Sequence, residues 1–193
     1  MKTLLLSTDS KLIHEFRNGD NKPLEILVGR YKDKIFSSIL FLVRDKYLAE
    51  DLFQDTFIKI IDTIRDNSYT EKGKFLSYAI RIAHNICVDH YRKVKRVQLA
   101  EANDNSNLEE VLNLYEDAAD KNIIQLQTSD RIRQLLDMLS EEQREVVILR
   151  NFADLSFKEI AEMTNCSINT AIGRMRYALT NIRKMLAEKQ LAL

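Results

Sequence analysis

Three predicted helix starts lie close together in the last third of the chain, and they constrain its fold more than any other feature. Residues 140–143 (SEEQ) and 156–159 (SFKE) both have the capping-box pattern. In this pattern a Ser hydroxyl and a Glu or Gln three residues later satisfy each other's backbone amides. Each box precedes an apolar stretch, so each predicts a helix. Ser167 predicts the cap of a third helix running to about Ala187, after a turn at Asn165, because Asn tolerates the left-handed conformation.

A short helix, a tight turn and a long helix are typical of a helix-turn-helix, whose later helix enters the DNA major groove. Apolar steps of three and four predict the buried stripe of the long helix: Ile168, Ala171, Met175, Ala178, Leu179 and Ile182. The opposite face can contact base edges through Asn169, Gly173, Arg176 and Thr180, flanked by Ile172 and Tyr177. Thr170 and Arg174 are better placed for phosphates. An ordinary helical hairpin with a polar outer face shares this pattern, so both interpretations stay open.

Composition favours an all-helical protein, since the chain has one Pro and 4 Gly and is 30% charged. Its two cysteines, Cys87 and Cys166, lie far apart, which fits a reduced, cytoplasmic chain and not a disulfide framework. The leucine run near the N-terminus is too short for a signal-peptide core. No apolar run approaches the length of a membrane span, so we expect no membrane insertion.

The zero net charge hides an uneven distribution along the chain. Residues 22–97 carry 15 basic and 10 acidic side chains, and residues 131–193 carry 10 and 8. Residues 98–130 carry 1 basic and 8 acidic side chains. Electrostatic fields act within about 8–10 Å at ordinary salt, so the local balance matters more than the sum. The sequence therefore predicts two basic units joined by an acidic connector.

The N-terminal half predicts several helices, the first beginning near Asp20 and Pro23. A later helix, over about 49–64, places Asp51, Gln54 and Asp55 on one face. Such a face could hold Mg²⁺ for nuclease chemistry, but no further acidic or His cluster completes a site. A solvated helix face and a protein-docking surface are the other two interpretations.

The helix predicted from Lys74 to Arg96 begins with aromatics and ends in a basic cluster. Aromatic faces beside cations are what a platform for single-stranded nucleic acid needs, although packing in the core is the commoner role of any one aromatic. His84, Cys87 and His90 do not predict a metal site. The outer two lie about 240° apart around a helix, so the three cannot converge on one ion.

The connector over about 97–125 contains the helix-breaking cluster 103–107 and a weak apolar pattern over 108–115. A flexible, solvated linker is the favoured interpretation for the free protein. A nucleic-acid mimic that threads a basic channel of a partner is the other.

The order of these pieces resembles the extracytoplasmic-function (ECF) sigma factors of the sigma-70 family. Residues 49–57 (AEDLFQDTF) resemble the helix that binds core RNA polymerase, and residues 75–92 resemble the region that melts the promoter and reads its −10 element. Residues 136–186 are similar to the domain that reads the −35 element. The resemblance covers roughly residues 11–187, and it rests on the joint order of motifs that are individually moderate.

The resemblance implies an all-α protein of two small helical domains, 1–97 and 129–193, joined by an acidic flexible linker over 98–128. It implies a transcription initiation factor with no cofactor and no catalytic residue of its own. The partners would be promoter DNA and core RNA polymerase, through its largest-subunit clamp helices and its flap region. ECF relatives are often held by an anti-sigma factor, and nothing in the sequence identifies a surface for one. A stand-alone helix-turn-helix regulator is the alternative, but such a regulator would have no function for the face of Asp51, Gln54 and Asp55.

The implied contacts fall into three sets. Polymerase binding is implied for Asp51, Gln54, Asp55 and Phe57. Contact with the −10 region is implied for Lys74, Phe75, Tyr78, Arg81, Asn85, Arg92, Lys93, Lys95 and Arg96. Contact with the −35 region is implied for Ser167, Asn169, Thr170, Ile172, Gly173, Arg174, Arg176 and Tyr177. Ile172 and Tyr177 depart from the family pattern, where Lys or Arg is frequent, so the −35 base preference does not carry over.

Overall fold

The computed structural model describes residues 7–70, 73–102 and 131–191. In the helices that end at residues 102 and 191, side chains are described as far as Val97 and Glu188 respectively. These residues form eight helices and no strand: α1 Asp9–Arg17, α2 Lys22–Val43, α3 Lys46–Arg65, α4 Phe75–Ala102, α5 131–137, α6 Glu141–Asn151, α7 Phe157–Met163 and α8 Ile168–Leu191. The all-helical fold expected from composition and spacing is confirmed. Of the flexible linker predicted over 98–128, residues 98–102 instead continue helix α4, and residues 103–128 lie outside the described residues.

Helix α2 is the centre of the structure, because it contacts α1, α3, α4 and α6. Pro23 lies in its first turn, where a missing amide proton costs no hydrogen bond. Ile35 and Ile39 are fully buried. Burial of one such side chain is worth about 1.5–3 kcal/mol. The helix ends at Arg44, whose φ of 62° turns the chain toward α3.

Helix α1 was not predicted, although a local signal for it exists. The Thr8 hydroxyl accepts a hydrogen bond from the Lys11 amide, and Leu12, Ile13 and Phe16 are buried at helical spacing. The Arg17 guanidinium donates to the Ile64 carbonyl at 3.2 Å and to the Tyr69 carbonyl. Helix α1 therefore fixes the end of α3 and the loop that leads to α4.

The C-terminal caps agree with the sequence except at one bond. Ser140 accepts from the Gln143 amide, but the Gln143 side chain accepts from the Asn181 amide at 3.0 Å and does not close the predicted box. At Ser156 both bonds of the capping box are present. Asn165 has a φ of 50° in the turn after α7, and the Ser167 hydroxyl caps α8 by accepting from the Thr170 amide at 3.0 Å. These caps are local, so their residue types predict them well.

The predicted buried stripe of α8 was partly wrong. Ala171 and Ala178 are fully buried, and Met185 joins them, but Ile168 and Leu179 are 46% and 38% exposed. The helix turns its small residues toward α6 and α7, so the apolar stripe is wider than the surface that covers it. Helix α8 also continues beyond Ala187 to Leu191.

The two units pack against each other, which the sequence did not predict. One continuous apolar cluster contains buried residues of α1–α4 together with Val146, Leu149, Leu155 and Ile160 of the C-terminal unit. The rings of Phe41 and Phe152 lie 4.8 Å apart across this contact. We call this contact surface between residues 7–102 and 131–191 the seam.

Candidate nucleic-acid and protein interfaces

The outer face of α3 presents the carboxylates and amide singled out above. Asp51, Gln54 and Asp55 are all exposed. Phe57 points the other way: it is 9% exposed, and its ring packs 4.9 Å from that of Phe53. In this structure Phe57 therefore supports the face from below and does not form part of its surface.

Two large apolar side chains on the same face were missed by the sequence analysis. Tyr47 is 69% exposed and Ile58 is 58% exposed. With Asp51 and Gln54 they follow steps of four, three and four, so these four residues lie within about 60° of one another around the helix. That spacing is visible in the sequence and could have identified them. We call Tyr47, Asp51, Gln54 and Ile58 the α3 face.

A groove of about 380 Å³ borders the α3 face where α2 and α3 diverge. Phe36 and Phe53 form its apolar floor, and Lys32, Glu50 and Gln54 stand at its rim. The rings of Phe36 and Phe53 meet edge to face, with their centroids 5.7 Å apart. An apolar floor with mixed charges at the rim is the composition of a surface that binds protein side chains.

The start of α4 is built into the core. Phe75 is 1% exposed, with Tyr31 and Tyr69 rings at 5.5 and 6.2 Å. It cannot stack on a base in this arrangement, so its expected place on a DNA-facing platform is corrected to a packing role. Tyr78 is half-buried and lies against Tyr69 with ring centroids 4.2 Å apart. Tyr78 therefore remains partly accessible.

The exposed side of α4 is a polar and basic line. Arg81, Asn85, Arg92 and Arg96 are exposed and lie within about 60° of one another at steps of four, seven and four. Lys93 and Lys95 flank this line and are also exposed. Arg92 pairs with Asp89 at 3.3 Å, both largely solvated. The arrangement can follow a phosphate backbone with one amide, that of Asn85, among the cations.

His84 and Cys87 are buried, at 3% and 2% exposure. His84 Nε2 lies 2.7 Å from Glu145 Oε1 of the C-terminal unit. Because a carboxylate can only accept, His84 donates its Nε2 proton there. Burial raises the pKa of the Cys87 thiol to about 12, against a smaller lowering by a backbone hydrogen bond, so it stays protonated. Within the described ranges no three His, Cys, Asp or Glu side chains are grouped as metal ligands.

Two of the predicted DNA-contacting cations are paired across the seam. Lys74 Nζ donates to Glu159 Oε1 at 2.9 Å, and Arg81 pairs with Glu162 at 3.5 Å. Burial alone would raise the pKa of Glu159, but hydrogen bonds from Ser156 and Lys74 outweigh it and lower that pKa to about 2. Glu159 is therefore ionised at neutral pH and serves both the α7 cap and the seam.

The outer face of α8 faces solvent. Asn169, Thr170 and Arg176 are exposed, and the departures Ile172 and Tyr177 are 41% and 66% exposed. A Cβ built on Gly173 would meet nothing within 4 Å, so this point of the helix offers open space. We call Asn169, Ile172, Gly173, Arg176 and Tyr177 the α8 face.

Two predicted −35 contacts have local tasks as well. The Ser167 hydroxyl caps α8 and lies 2.8 Å from the Thr170 hydroxyl. Arg174 is half-buried near the start of α6. The pKa of Glu142 there is lowered chiefly by a backbone hydrogen bond and by Ser140, with a smaller contribution from the charge of Arg174. These residues position the helix in addition to any contact with DNA.

No helix in the described parts of the chain combines the length and apolar character needed to cross a bilayer. Residues 27–97 match the family model of sigma-70 region 2, and residues 129–186 match that of sigma-70 region 4. These matches contain the α3 face and the α8 face respectively.

Known proteins match this chain over most of its length and most of their own. The chain is 29% identical over 188 residues to the ECF RNA polymerase sigma factor SigW of Bacillus subtilis, covering 92% of this chain and 96% of that protein. It is 25% identical over 186 residues to the RNA polymerase sigma-H factor of Pseudomonas aeruginosa, covering 92% and 93%.

Two solved structures share the fold. CnrH in complex with the cytosolic domain of CnrY gives a TM-score of 0.65 at 19% identity, covering 94% of this chain and 99% of that one. The sigma factor RpoE of Bartonella quintana, in complex with the anti-sigma factor NepR, gives 0.62 at 21% identity, covering 86% and 98%. With both family regions present in order, the chain belongs to the ECF group of the sigma-70 family, the sigma factors that direct promoter-specific transcription.

Proposed function

We propose that this sigma factor binds core RNA polymerase through the α3 face. The observation that carries the proposal is the exposure of Tyr47 and Ile58 on the same line as Asp51 and Gln54. Large exposed apolar residues on either side of a carboxylate and an amide fit a protein partner better than solvent. Asp55 and the groove beside Gln54 extend the same surface. The clamp helices of the largest polymerase subunit are the proposed partner.

The exposed line of α4 is the proposed reader of the −10 element. Asn85 would hold an unstacked base of the non-template strand through its amide, with Tyr78 beside it. Arg81, Arg92, Lys93, Lys95 and Arg96 would follow the strand backbone, with Lys74 at its start. Cations that contact phosphates give affinity without sequence preference, whereas an amide can discriminate between bases.

The α8 face is the proposed reader of the −35 element. Arg176 and Asn169 can bond to base edges, while Ser167, Thr170 and Arg174 lie where phosphates would pass. Ile172 and Tyr177 offer apolar surface where the family often has a cation. We therefore expect the −35 preference to include a base with an apolar contact, such as the thymine methyl group.

The two readers act together because polymerase holds both. Each of the two domains, 1–97 and 129–193, would bind DNA weakly and in a salt-dependent way. The connector 98–128 would join them. Attachment to one large enzyme raises the effective concentration of the second reader once the first is bound. Nucleotide addition belongs to the polymerase, and this factor would supply no catalytic residue. A cytoplasmic location follows from that partnership, and an anti-sigma factor is a further proposed partner.

Run-off transcription tests this function directly. Core polymerase from the source bacterium is supplied with pooled genomic promoter fragments, with and without the purified protein. Transcripts that appear only with the protein, at defined start sites, support the proposal and reveal both promoter elements. Absence of transcripts, together with stable binding of the protein alone to duplex DNA, would instead indicate a stand-alone regulator.

A further inference from the structure

An exposed apolar line runs along helix α8. Four large aliphatic side chains form it, each 38–46% exposed: Ile168, Ile172, Leu179 and Leu186. They follow steps of four, seven and seven, so they lie within about 40° of one another over about 27 Å of helix. We call these four residues the α8 stripe. Met175 and Ile182 fill the two longer steps and lie half-buried against the apolar cluster of α5 and α6.

The spacing of the α8 stripe fits a second helix better than it fits DNA. With the two half-buried residues included, apolar side chains alternate at steps of four and three, which is typical of a helix that packs lengthwise on another helix. A recognition helix contacts bases through its N-terminal residues. Leu179 and Leu186 lie about three and five turns from the start of α8, so contact with bases does not account for them.

Two cations border the α8 stripe along one edge. Arg176 and Arg183 are exposed, and because they are seven residues apart they lie almost directly above one another on the helix. A second copy of α8 packed antiparallel on the stripe would bring its own arginines to this edge, where like charges repel. The stripe and its edge therefore fit an apolar helix face that carries carboxylates.

The connector contains a segment with that pattern in its sequence. Residues 108–117 (LEEVLNLYED) carry four carboxylates and no cation. Apolar residues recur in it at steps of four and three: Leu108, Leu112 and Tyr115. Glu109 and Glu116 follow one edge of that pattern seven residues apart, as Arg176 and Arg183 do on α8. These residues lie outside the described ranges, and their sequence complements the stripe in both spacing and charge.

The chain re-enters the structure beside α8. Leu136 of α5 belongs to the same apolar cluster as Ala178 and Met185 of α8. The stretch from residue 117 to residue 131 can span up to about 46 Å when extended, at about 3.3 Å per residue. The stripe is about 27 Å long. Residues 108–117 can therefore reach the stripe from α5 without any change in the described helices.

We propose that residues 108–117 dock on the α8 stripe in the free protein, with Glu109 and Glu116 against Arg176 and Arg183. The apolar residues of the segment cover four aliphatic side chains that otherwise face water, and the carboxylates pair with the cations at the edge. This inference goes beyond promoter recognition. Its test needs neither polymerase nor DNA, so its outcome is independent of the proposed function.

Hydrogen exchange of the free, full-length chain, followed by mass spectrometry, tests the docking. Every substitution is made in α8, so the amides of residues 108–117 keep the same intrinsic exchange rates in all variants. Leu179→Gln removes an aliphatic contact of the stripe, and Tyr177→Gln is its control on the far side of the same helix. Arg183→Gln removes one cation of the edge, and Lys184→Gln is its control about 100° around the helix. Arg183 and Lys184 are both exposed, so this second pair of variants keeps its fold even if Leu179→Gln does not.

In the unchanged protein we expect the amides of residues 108–117 to exchange about tenfold more slowly than those of an unstructured chain. Leu179→Gln should remove most of this protection, and Arg183→Gln about half of it, the effect of one solvated ion pair. Both controls should match the unchanged protein. Exchange at the unstructured rate in the unchanged protein would overturn the docking, and so would equal protection in all five forms. Protection that rises with protein concentration would assign the stripe to a second copy and overturn the proposal as well.

Discussion

The two helices proposed to read DNA differ in what packs beside them. The outer face of α8 is exposed, with Arg176 and Asn169 facing solvent. At the start of α4, Phe75 lies in the core, and Lys74 and Arg81 are paired with carboxylates of α7. Asn85 and the basic residues that follow it on α4 are exposed. The difference arises from the packing of one unit on the other, so the accessibility of the start of α4 depends on the seam and not on that helix alone.

The largest expected effect concerns the α3 face, which the seam does not cover. Asp51→Ala/Gln54→Ala should weaken binding to core polymerase by about 2 kcal/mol or more, as for residues at the centre of a protein interface. Affinity for DNA alone should not change. Fluorescence titration of labelled protein with core polymerase measures the loss. Lys59→Ala, an exposed change about 120° around the same helix, is the control. Equal affinities for all three forms would move the docking surface elsewhere.

Arg176→Ala probes the open reader. The change should cost about 1–3 kcal/mol on a duplex with the −35 element if the guanidinium makes a bidentate base contact. Arg183→Ala, exposed nearer the end of α8, serves for comparison. A loss of equal size on every DNA sequence would make Arg176 a phosphate contact.

Asn85→Ala probes the proposed −10 reader on α4 after polymerase has bound. Loss of one base-specific hydrogen bond should raise the activation free energy of open-complex formation by about 1 kcal/mol. The rate should fall roughly fivefold as a result. Closed-complex affinity on duplex DNA should change little. Potassium permanganate footprinting measures opening over time. A pre-melted bubble template should restore most of the rate, and a persistent defect on that template would assign Asn85 to a later step.

The coupling energy between the two rings that meet in the seam can be measured by a double-mutant cycle of Phe41→Ala and Phe152→Ala. Ring pairs at such distances contribute about 0.5–1.5 kcal/mol beyond their buried area. We expect the two changes to be non-additive by that amount in urea unfolding. Additivity within error would mean that the units separate in the free protein, and the contrast between the start of α4 and the α8 face would disappear.

The smallest expected effect is a pH dependence from Glu159. Its pKa in the folded protein is about 2, below the ordinary value of 4.5, so its contribution to stability is full above pH 4.5. That contribution is lost as the pH falls toward 2, because the unfolded state takes up the proton first. Glu159→Gln should flatten this part of the stability curve in urea titrations. A parallel decline in both proteins would place the acid sensitivity in other carboxylates.

Local chemistry determined much of what could be predicted from the sequence. Ser156, Ser167 and Asn165 act on backbone groups within a few residues, so their residue types predict the helix boundaries directly. The helical periodicity likewise placed Asp51, Gln54 and Arg176 on solvent-facing sides. Helix α1 was missed although Thr8 caps it and Leu12, Ile13 and Phe16 recur at helical spacing, so the same local signal was present in the sequence.

The tertiary structure decided which part of each pattern is covered. Periodicity gave α8 a broad apolar stripe, but only packing against α6 and α7 buried Ala178 and left Leu179 at 38% exposure. The same holds for Phe75 and Phe57, whose aromatic rings suit a binding surface or a core equally well. His84 gained its partner Glu145 from a helix 61 residues away. Sequence thus determined most of the helices, their caps and the two basic units, because those depend on near neighbours. The seam and the pairing of Lys74 and Arg81 depend on contacts between distant residues, which only the folded chain brings together.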